Sequence, residues 1–209
     1  MAILNLIDQN HPILKEVMQD FNFAEPPTDP IQLAKDLAET MISNKGIGLS
    51  ANQVGLPYRV FVMTGNPIHA CFNPRIVDMS SEMIIMEEGC LSYPGLIVKI
   101  KRPRMIRVRF TMPNGETKTE KFDGMTARVF QHELDHLNGV LFTSKVSKTV
   151  LDRARDKVKK NIKQIERAEL EAEIKKQINA AKSRIEKNSI DIQKAAAEIK
   201  KDMYVNLGI

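Results

Sequence analysis

Proline and glycine are confined almost entirely to the first two thirds of the chain, and this distribution limits the fold more than any other feature. Residues 1–144 hold all ten prolines and nine of the ten glycines, whereas residues 145–207 contain neither. Both residue types end or redirect regular structure, so the first part is expected to be a turn-rich domain. The second part can form an uninterrupted helix. We therefore predict a globular domain over residues 1–145 and a helical extension over residues 146–209.

Local patterns in the first part predict an α+β fold. Asp29 and Pro30 form an N-cap and first-turn pair ahead of apolar residues at helical spacing, which predicts a helix ending near Asn44. Helical spacing returns over residues 126–138, where Gly139 takes the place of a C-terminal cap glycine. Between the two helices, segments rich in Val, Ile and Phe predict antiparallel strands at 58–63, 96–100, 105–111 and 118–122. The second helix is expected to lie against these sheets.

The extension has its own charge and periodicity. From Lys145 onward there are 17 Lys or Arg against 10 Asp or Glu, so the net charge of +5 arises entirely in this part. Apolar residues recur there at heptad spacing, with a phase slip near Ala172: 151, 154, 158, 165, 168, 174, 178, 181, 185, 192, 195 and 199. One helix of this length would extend about 80 Å. A hairpin broken at Asn188 and Ser189 is the alternative.

Composition also limits the compartment. No stretch approaches the roughly 18 to 20 consecutive apolar residues of a membrane span, and residues 1–10 lack the pattern of a signal peptide. Two cysteines are too few for a disulfide framework in a chain of 209 residues. We therefore expect a cytoplasmic protein without a membrane partner.

The sequence His132-Glu133-Leu134-Asp135-His136 lies on the second predicted helix. Residues four apart share one face of a helix, so His132 and His136 can bind a single metal ion with Glu133 beside it. The alternative is a pair of surface histidines on an ordinary amphipathic helix. The motif predicts a metal-dependent hydrolase.

A catalytic site of this type needs a third protein ligand and one open position. Cys90, within Glu87-Glu88-Gly89-Cys90-Leu91-Ser92, can supply a thiolate that suits iron or zinc, although a lone cysteine is more often a core residue. Cys71 has no such context and is expected in the core. A third segment, Gly46-Ile47-Gly48-Leu49-Ser50-Ala51-Asn52-Gln53, allows close backbone approach to a ligand but carries little weight alone.

Together, the three segments resemble the signature motifs of peptide deformylases: G-Φ-G-Φ-[AS]-A-x-Q, E-G-C-L-S and Q-H-E-x-D-H, where Φ is apolar. They occur in the family's order, and the resemblance covers about residues 1–145. Details such as Cys90-Leu91-Ser92-Tyr93-Pro94-Gly95 are most similar to the plastid and cyanobacterial subgroup, which a bacterium or a phage could encode. Asn52 departs at a variable position that is often Pro in that subgroup.

The resemblance implies removal of the formyl group from the N-terminal N-formylmethionine of nascent polypeptides, with release of formate. It implies one divalent metal held by Cys90, His132 and His136, with iron(II) as the metal in cells and zinc, nickel or cobalt in preparations. Glu133 would be the general base toward a metal-bound water. The Gln53 side chain and the Leu91 backbone N–H would stabilise the oxyanion.

By the same resemblance, an apolar pocket for the methionine side chain involves Ile47, Gly48, Met125 and Val129. Glu88 is expected both among the substrate-binding residues and as a supporting residue behind the ligands. Arg128 is less expected, because many relatives have an aliphatic residue there. A solvated helix-face arginine and a substrate contact are equally open interpretations of it.

Other interpretations remain open from sequence. An H-E-x-x-H metalloprotease would take its third ligand from a residue beyond the helix, yet no His follows His136. A binding module that retained the scaffold without activity is a further alternative. The heptads of the extension suggest self-association or docking on the catalytic domain, and its positive charge suggests ribosome binding through phosphates.

Overall fold

A computed structural model describes residues 2–206 of the chain; in its last helix, many side chains beyond residue 180 lie outside that description. The chain divides into two compact units between Asp156 and Lys157. In the described part, no helix combines the length and apolar character that a membrane crossing requires.

Helix α1 (Pro30–Ser43) forms as its sequence predicts. The Asp29 carboxylate accepts hydrogen bonds from the backbone N–H groups of Ile31 and Gln32, which satisfies two donors of the first turn. Its buried face consists of Leu33, Ala34, Leu37, Thr40 and Met41. One-turn 3₁₀ helices lie at Pro12–Lys15, Ala51–Val54 and Phe142–Lys145.

Five antiparallel strands form the larger sheet in the order β1-β2-β3-β6-β7. Their bounds are β1 Gly48–Ser50, β2 Val60–Met63, β3 His69–Met79, β6 Met105–Thr111 and β7 Thr117–Asp123. The four residues of β2 are all buried. Alternate residues belong to two core clusters, one shared with α1 and one shared with the second helix, so this strand is covered on both faces.

A separate two-stranded sheet pairs β4 (Met83–Cys90) with β5 (Tyr93–Pro103). In β5, residues 96, 98, 100 and 102 are buried and those between them are exposed, the alternation of a sheet with one covered face. This hairpin matters for the site because β4 ends at Cys90.

Helix α2 (Gly124–Leu137) packs its apolar residues against β1, β2, β6 and β7. Ala127, Phe130, Leu134 and Leu137 join the same core cluster as residues of β2 and β6. Gly139 follows the helix with a φ of +69°, which confirms its prediction as the terminal glycine.

Helix α3 (Lys148–Asn206) is continuous, so no hairpin forms at Asn188 and Ser189. Its apolar residues Ile162, Ile165, Leu170, Ile174 and Ile178 are 48–62% exposed. The heptad positions at 181, 185, 192, 195 and 199 lie outside the described side chains.

The α+β fold and four of the strands are confirmed with small shifts in their ends. Strands β1, β3 and β4 were not predicted. In β3, Asn73 has a positive φ of 51° and Pro74 follows it, and the register against β6 shifts there, so the strand lacks a clean alternation.

Candidate metal centre

Helix α2 presents two imidazoles toward one point. His132 and His136 are 8% and 1% exposed, and their ring centroids lie 5.0 Å apart. The four-residue spacing places them one turn apart on one face. Burial against the sheets turns that face into the interior of the domain.

The end of β4 brings Cys90 to the same point. The Cys90 Sγ lies 3.2 Å from the His136 Nε2, and the ligand atoms of Cys90, His132 and His136 all lie within 4.8 Å of one another. Within residues 2–206, no other described group of three His, Cys, Asp or Glu side chains could hold a metal ion.

The donor chemistry fits one divalent ion. Zinc binds sulfur and nitrogen at about 2.0–2.3 Å, which needs donor atoms about 3–4 Å apart. The Cys90–His136 separation of 3.2 Å falls in that range. Three protein ligands leave a fourth position for water or substrate, as catalytic sites require.

Glu88, two residues before Cys90, contacts the candidate ligand His132. Its Oε2 lies 3.0 Å from the His132 Nδ1, and its oxygens accept hydrogen bonds from Arg102 at 2.6 and 2.8 Å. Arg128 donates to the Glu88 Oε1 at 2.7 Å. A carboxylate on the outer nitrogen of a ligating histidine fixes the ring orientation and tautomer.

These charges decide the protonation of the metal-free site. Burial alone would raise the pKa of Glu88, but hydrogen bonds from Arg102 and His132 hold it well below its usual value. Burial opposes the charge on His132, yet hydrogen bonds with Cys90 and Glu88 raise its pKa to about 10. Burial and the His132 charge lower the pKa of His136 well below its usual value. Because a ligating imidazole must be neutral, a metal ion would compete with a proton at His132.

Glu133 lies beside the ligands and is only 4% exposed. The Ser50 hydroxyl donates to its Oε2 at 2.7 Å. A Cβ atom at Gly48 would overlap this carboxylate, so the strand carries glycine where it passes Glu133. Burial raises the pKa of Glu133, partly offset by the His132 charge, which suits a group that exchanges protons near neutral pH.

Hydrogen bonds fix the Gln53 side chain next to Cys90. Its Oε1 accepts a hydrogen bond from the Ser50 backbone N–H at 2.9 Å, and its Nε2 donates to the Ser92 hydroxyl at 3.0 Å. The same Nε2 lies 3.4 Å from the Cys90 Sγ. The amide therefore presents an N–H group next to the ligands.

A pocket of about 590 Å³ opens onto these groups. Of the eleven site residues predicted from sequence, ten line this pocket and His136 does not. The ten are Ile47, Gly48, Gln53, Glu88, Cys90, Leu91, Met125, Val129, His132 and Glu133. Ile47 and Met125 are about half exposed and form part of its mouth. Cys71 is fully buried in the core, as predicted.

Sequence reasoning missed two residues of the site and left two interpretations open for a third. Ser50 lies within the glycine-containing motif, but its sequence position alone assigns it no role, and no motif includes Arg102. Arg102 continues the buried alternation of β5, so a cation at that position was a signal of a buried partner. Arg128 is 3% exposed and bonded to Glu88, so it is not a solvated helix-face arginine.

Comparison with known proteins agrees with this geometry. Residues 3–152 match the family described as polypeptide deformylase. The peptide deformylase of Rhodopseudomonas palustris (strain BisB18) is 44% identical over 125 residues, which cover 56% of this chain and 71% of that protein.

Solved structures show the same likeness. The crystal structure of peptide deformylase from Thermotoga maritima has a TM-score of 0.67 at 36% identity and covers 70% of this chain and 99% of that one. The structure of a peptide deformylase from Synechococcus elongatus in complex with actinonin has a TM-score of 0.69 at 33% identity, covering 74% and 85%.

Proposed function

The chain belongs to the polypeptide deformylase family, and we propose that it hydrolyses the formyl amide at a metal ion held by Cys90, His132 and His136. It is a hydrolase that removes the formyl group from the N-terminal methionine of nascent polypeptides. The observation that carries the ligand assignment is the convergence of these three donors within 4.8 Å. We place the activity in the cytoplasm, where nascent chains are formed.

The family uses a single divalent metal. Cys90, His132 and His136 would hold the ion, which would supply a water nucleophile whose pKa is lowered to about 7. We propose iron(II) as the ion in cells, with zinc, nickel or cobalt able to replace it, because a thiolate and two imidazoles suit all four. Metal analysis of anaerobically purified protein tests this: zinc alone would contradict iron(II).

Glu133 is the proposed general base. It takes a proton from the attacking water and passes it to the departing amine. Its burial and its raised pKa support both halves of this exchange. Ser50 holds the carboxylate through the 2.7 Å hydrogen bond, so the base keeps one orientation.

Gln53 and the Leu91 backbone N–H are the proposed donors to the oxyanion that forms on the formyl oxygen. Support for Gln53 comes from its fixed amide, whose Nε2 lies 3.4 Å from Cys90. Leu91 follows the ligand directly and lines the same pocket. Such donors act because they are positioned before charge develops.

The methionine side chain is proposed to enter the pocket formed by Ile47, Gly48, Met125 and Val129. Glu88 also borders this pocket, but both of its oxygens are engaged by Arg102, Arg128 and His132. We therefore assign Glu88 to holding His132 rather than to contacting substrate.

The test is formate release from formyl-Met-Ala-Ser by the metal-loaded wild type, Glu133→Ala and Cys90→Ser. Wild type releases formate, Glu133→Ala keeps its metal but is nearly inactive, and Cys90→Ser loses metal and activity together. Substantial activity in Glu133→Ala would contradict the proposed base. Cleavage of an internal bond in an unformylated peptide would instead indicate a metalloprotease.

We also propose that residues 1–145 form the catalytic domain and residues 146–209 form an extension. We propose that the extension self-associates through its heptads, which the exposed apolar residues of α3 support. Ribosome binding is the second candidate, supported by the positive charge.

Sedimentation velocity at increasing concentration and ribosome co-sedimentation at two salt concentrations separate the two proposals. The full chain is compared with a variant in which the exposed Lys157, Lys159 and Lys160 are replaced by Glu. Equal, salt-insensitive retention of both forms would contradict ribosome binding. A monomer at all concentrations would contradict self-association.

A further inference from the structure

Arg128 connects the helix of the two histidine ligands to the hairpin of the cysteine ligand. Its Nη1 donates to the Glu88 Oε1 at 2.7 Å and to the Ile100 carbonyl at 2.9 Å, and its Nη2 donates to the Ile84 carbonyl at 2.8 Å. One guanidinium on α2 thus bonds to both β4 and β5. It lies one helical turn before His132, on the same face.

The two arginines that bind Glu88 differ in the number of carboxylates with which they pair. Arg102 also pairs with Asp135 at 2.6 Å, so it serves two carboxylates. Among the described residues, Arg128 has Glu88 as its only ion-pair partner. Both members of the Arg128–Glu88 pair have side chains that are 3% exposed, so the interaction is little screened by solvent.

We propose that Arg128 is a positioning residue of the metal centre: it holds the Glu88 carboxylate against His132 and fixes the Cys90 hairpin at the distance the metal requires. This inference rests on the proposed function, because it takes Cys90, His132 and His136 as the ligands. It assigns no contact with substrate to the guanidinium.

The shape of the guanidinium explains why arginine serves here. Its planar fork donates to a carboxylate and to two carbonyls at once, whereas a lysine ammonium is a point charge on a flexible stem. Arg128→Lys keeps the charge but cannot reproduce three directed bonds. Arg128→Leu removes charge and donors and leaves the Ile84 and Ile100 carbonyls without this partner.

The experiment compares metal affinity in the full chain for wild type, Arg128→Leu, Arg128→Lys and Arg104→Leu. Arg104 is the matched control, since it pairs with Glu82 and Asp123 at the surface with a side chain 47% exposed. The dissociation constant of Ni²⁺ is measured by competition with a chelator, and the absorption spectrum of the Co²⁺ form reports the thiolate and imidazole geometry.

Loss of a residue that directly orients a ligand costs about 10- to 100-fold in metal affinity. Arg128 acts through Glu88, which Arg102 also holds, so we expect a loss of about tenfold for Arg128→Leu, with an altered Co²⁺ spectrum. Arg128→Lys should lie between it and wild type. The control should stay within about twofold, because exposed ion pairs contribute little. Arg128→Leu with the affinity and spectrum of the control would overturn the proposal.

Thermal unfolding of the metal-free proteins separates positioning from a purely structural role. A structural role lowers the melting temperature but leaves the Ni²⁺ affinity of the folded variant unchanged, which would also overturn the proposal. If Arg128→Leu does not fold, Arg128→Lys decides by the same comparison. Failure of the proposed function is distinguishable, because wild type itself would then bind no stoichiometric metal at Cys90 or release no formate.

Discussion

Helices α2 and α3 show how differently the same residue types behave in two regions of one chain. Ten of the 14 residues of α2 are buried, including Arg128, His132 and Glu133. In the 59-residue α3, the residues from 148 to 180 are exposed or half-buried. On α2, His132, Glu133 and His136 are buried and have shifted pKa values, whereas the described charged side chains of α3 beyond residue 160 are exposed.

Two ion pairs make the contrast concrete. Arg128 on α2 and Glu88 lie 2.7 Å apart with side chains that are each 3% exposed, and Arg167 and Glu171 on α3 lie 2.8 Å apart with side chains 82% and 63% exposed. The distances are alike, but water screens only the second pair. Burial, rather than residue identity or contact distance, makes the ion pair of α2 stronger than that of α3.

The largest effect is expected at the cysteines. Cys90→Ala should lose the metal and at least about 10³-fold of activity, since the ion contributes several kcal/mol to the reaction. Cys71→Ala, in the core, should keep metal content and activity and lose only stability. Metal analysis and formate release measure both variants. Equal losses in the two would contradict the ligand assignment.

Glu133→Ala should retain its metal and lose about 10²- to 10⁴-fold in kcat, the contribution of general acid–base catalysis. Glu173→Ala on α3 is the matched control, because it removes an exposed carboxylate from a helix. Steady-state kinetics on a formylated tripeptide measure both. A wild-type rate in Glu133→Ala would show that the buried carboxylate of α2 is no more important for catalysis than the exposed one of α3.

Gln53→Ala should lower kcat by about 10²- to 10³-fold without loss of metal, because one oxyanion donor is removed. Gln177→Ala, on the exposed face of α3, serves as the control. The diagnostic is a fall in kcat with little change in KM. A change in KM alone would assign Gln53 to ground-state binding instead.

Acid should destabilise the metal-free protein through Glu88. Its folded pKa lies below the unfolded value of about 4.3, so its contribution to stability is present above pH 4.3 and is lost as the pH falls below it. Glu88→Gln should flatten this dependence, and Glu171→Gln should not. Denaturant unfolding followed between about pH 3 and 6 measures it; parallel curves for Glu88→Gln and wild type would contradict the prediction.

The smallest effect is expected at the exposed ion pair of Arg167 and Glu171 on α3. Arg167→Ala should cost about 0.3–0.5 kcal/mol in helix stability and nothing in catalysis. Circular dichroism during thermal unfolding and the formate assay measure these. A loss of several kcal/mol would mean that α3 has a buried partner in solution.

Much of the site followed from sequence because its parts are local. The i, i+4 spacing places His132 and His136 on one face wherever a helix forms, and Asp29 with Pro30 defines the start of α1 in the same local way. Strand β3 escaped prediction because the register shift near Asn73 and Pro74 is decided by pairing with β6, which local pattern does not encode.

By itself the sequence determined the α+β class, the two helices around the strands, the continuous helical extension as one of two options, and the three segments of the site. Only the tertiary structure decided that Cys90 comes within 3.2 Å of His136, that Arg102 and Arg128 converge on Glu88, and that Ser50 orients Glu133. The physical reason is that these contacts join residues 14 to 83 positions apart. Their approach is set by how the hairpin and β1 lie against α2, whereas cap residues and helical spacing act within a single turn.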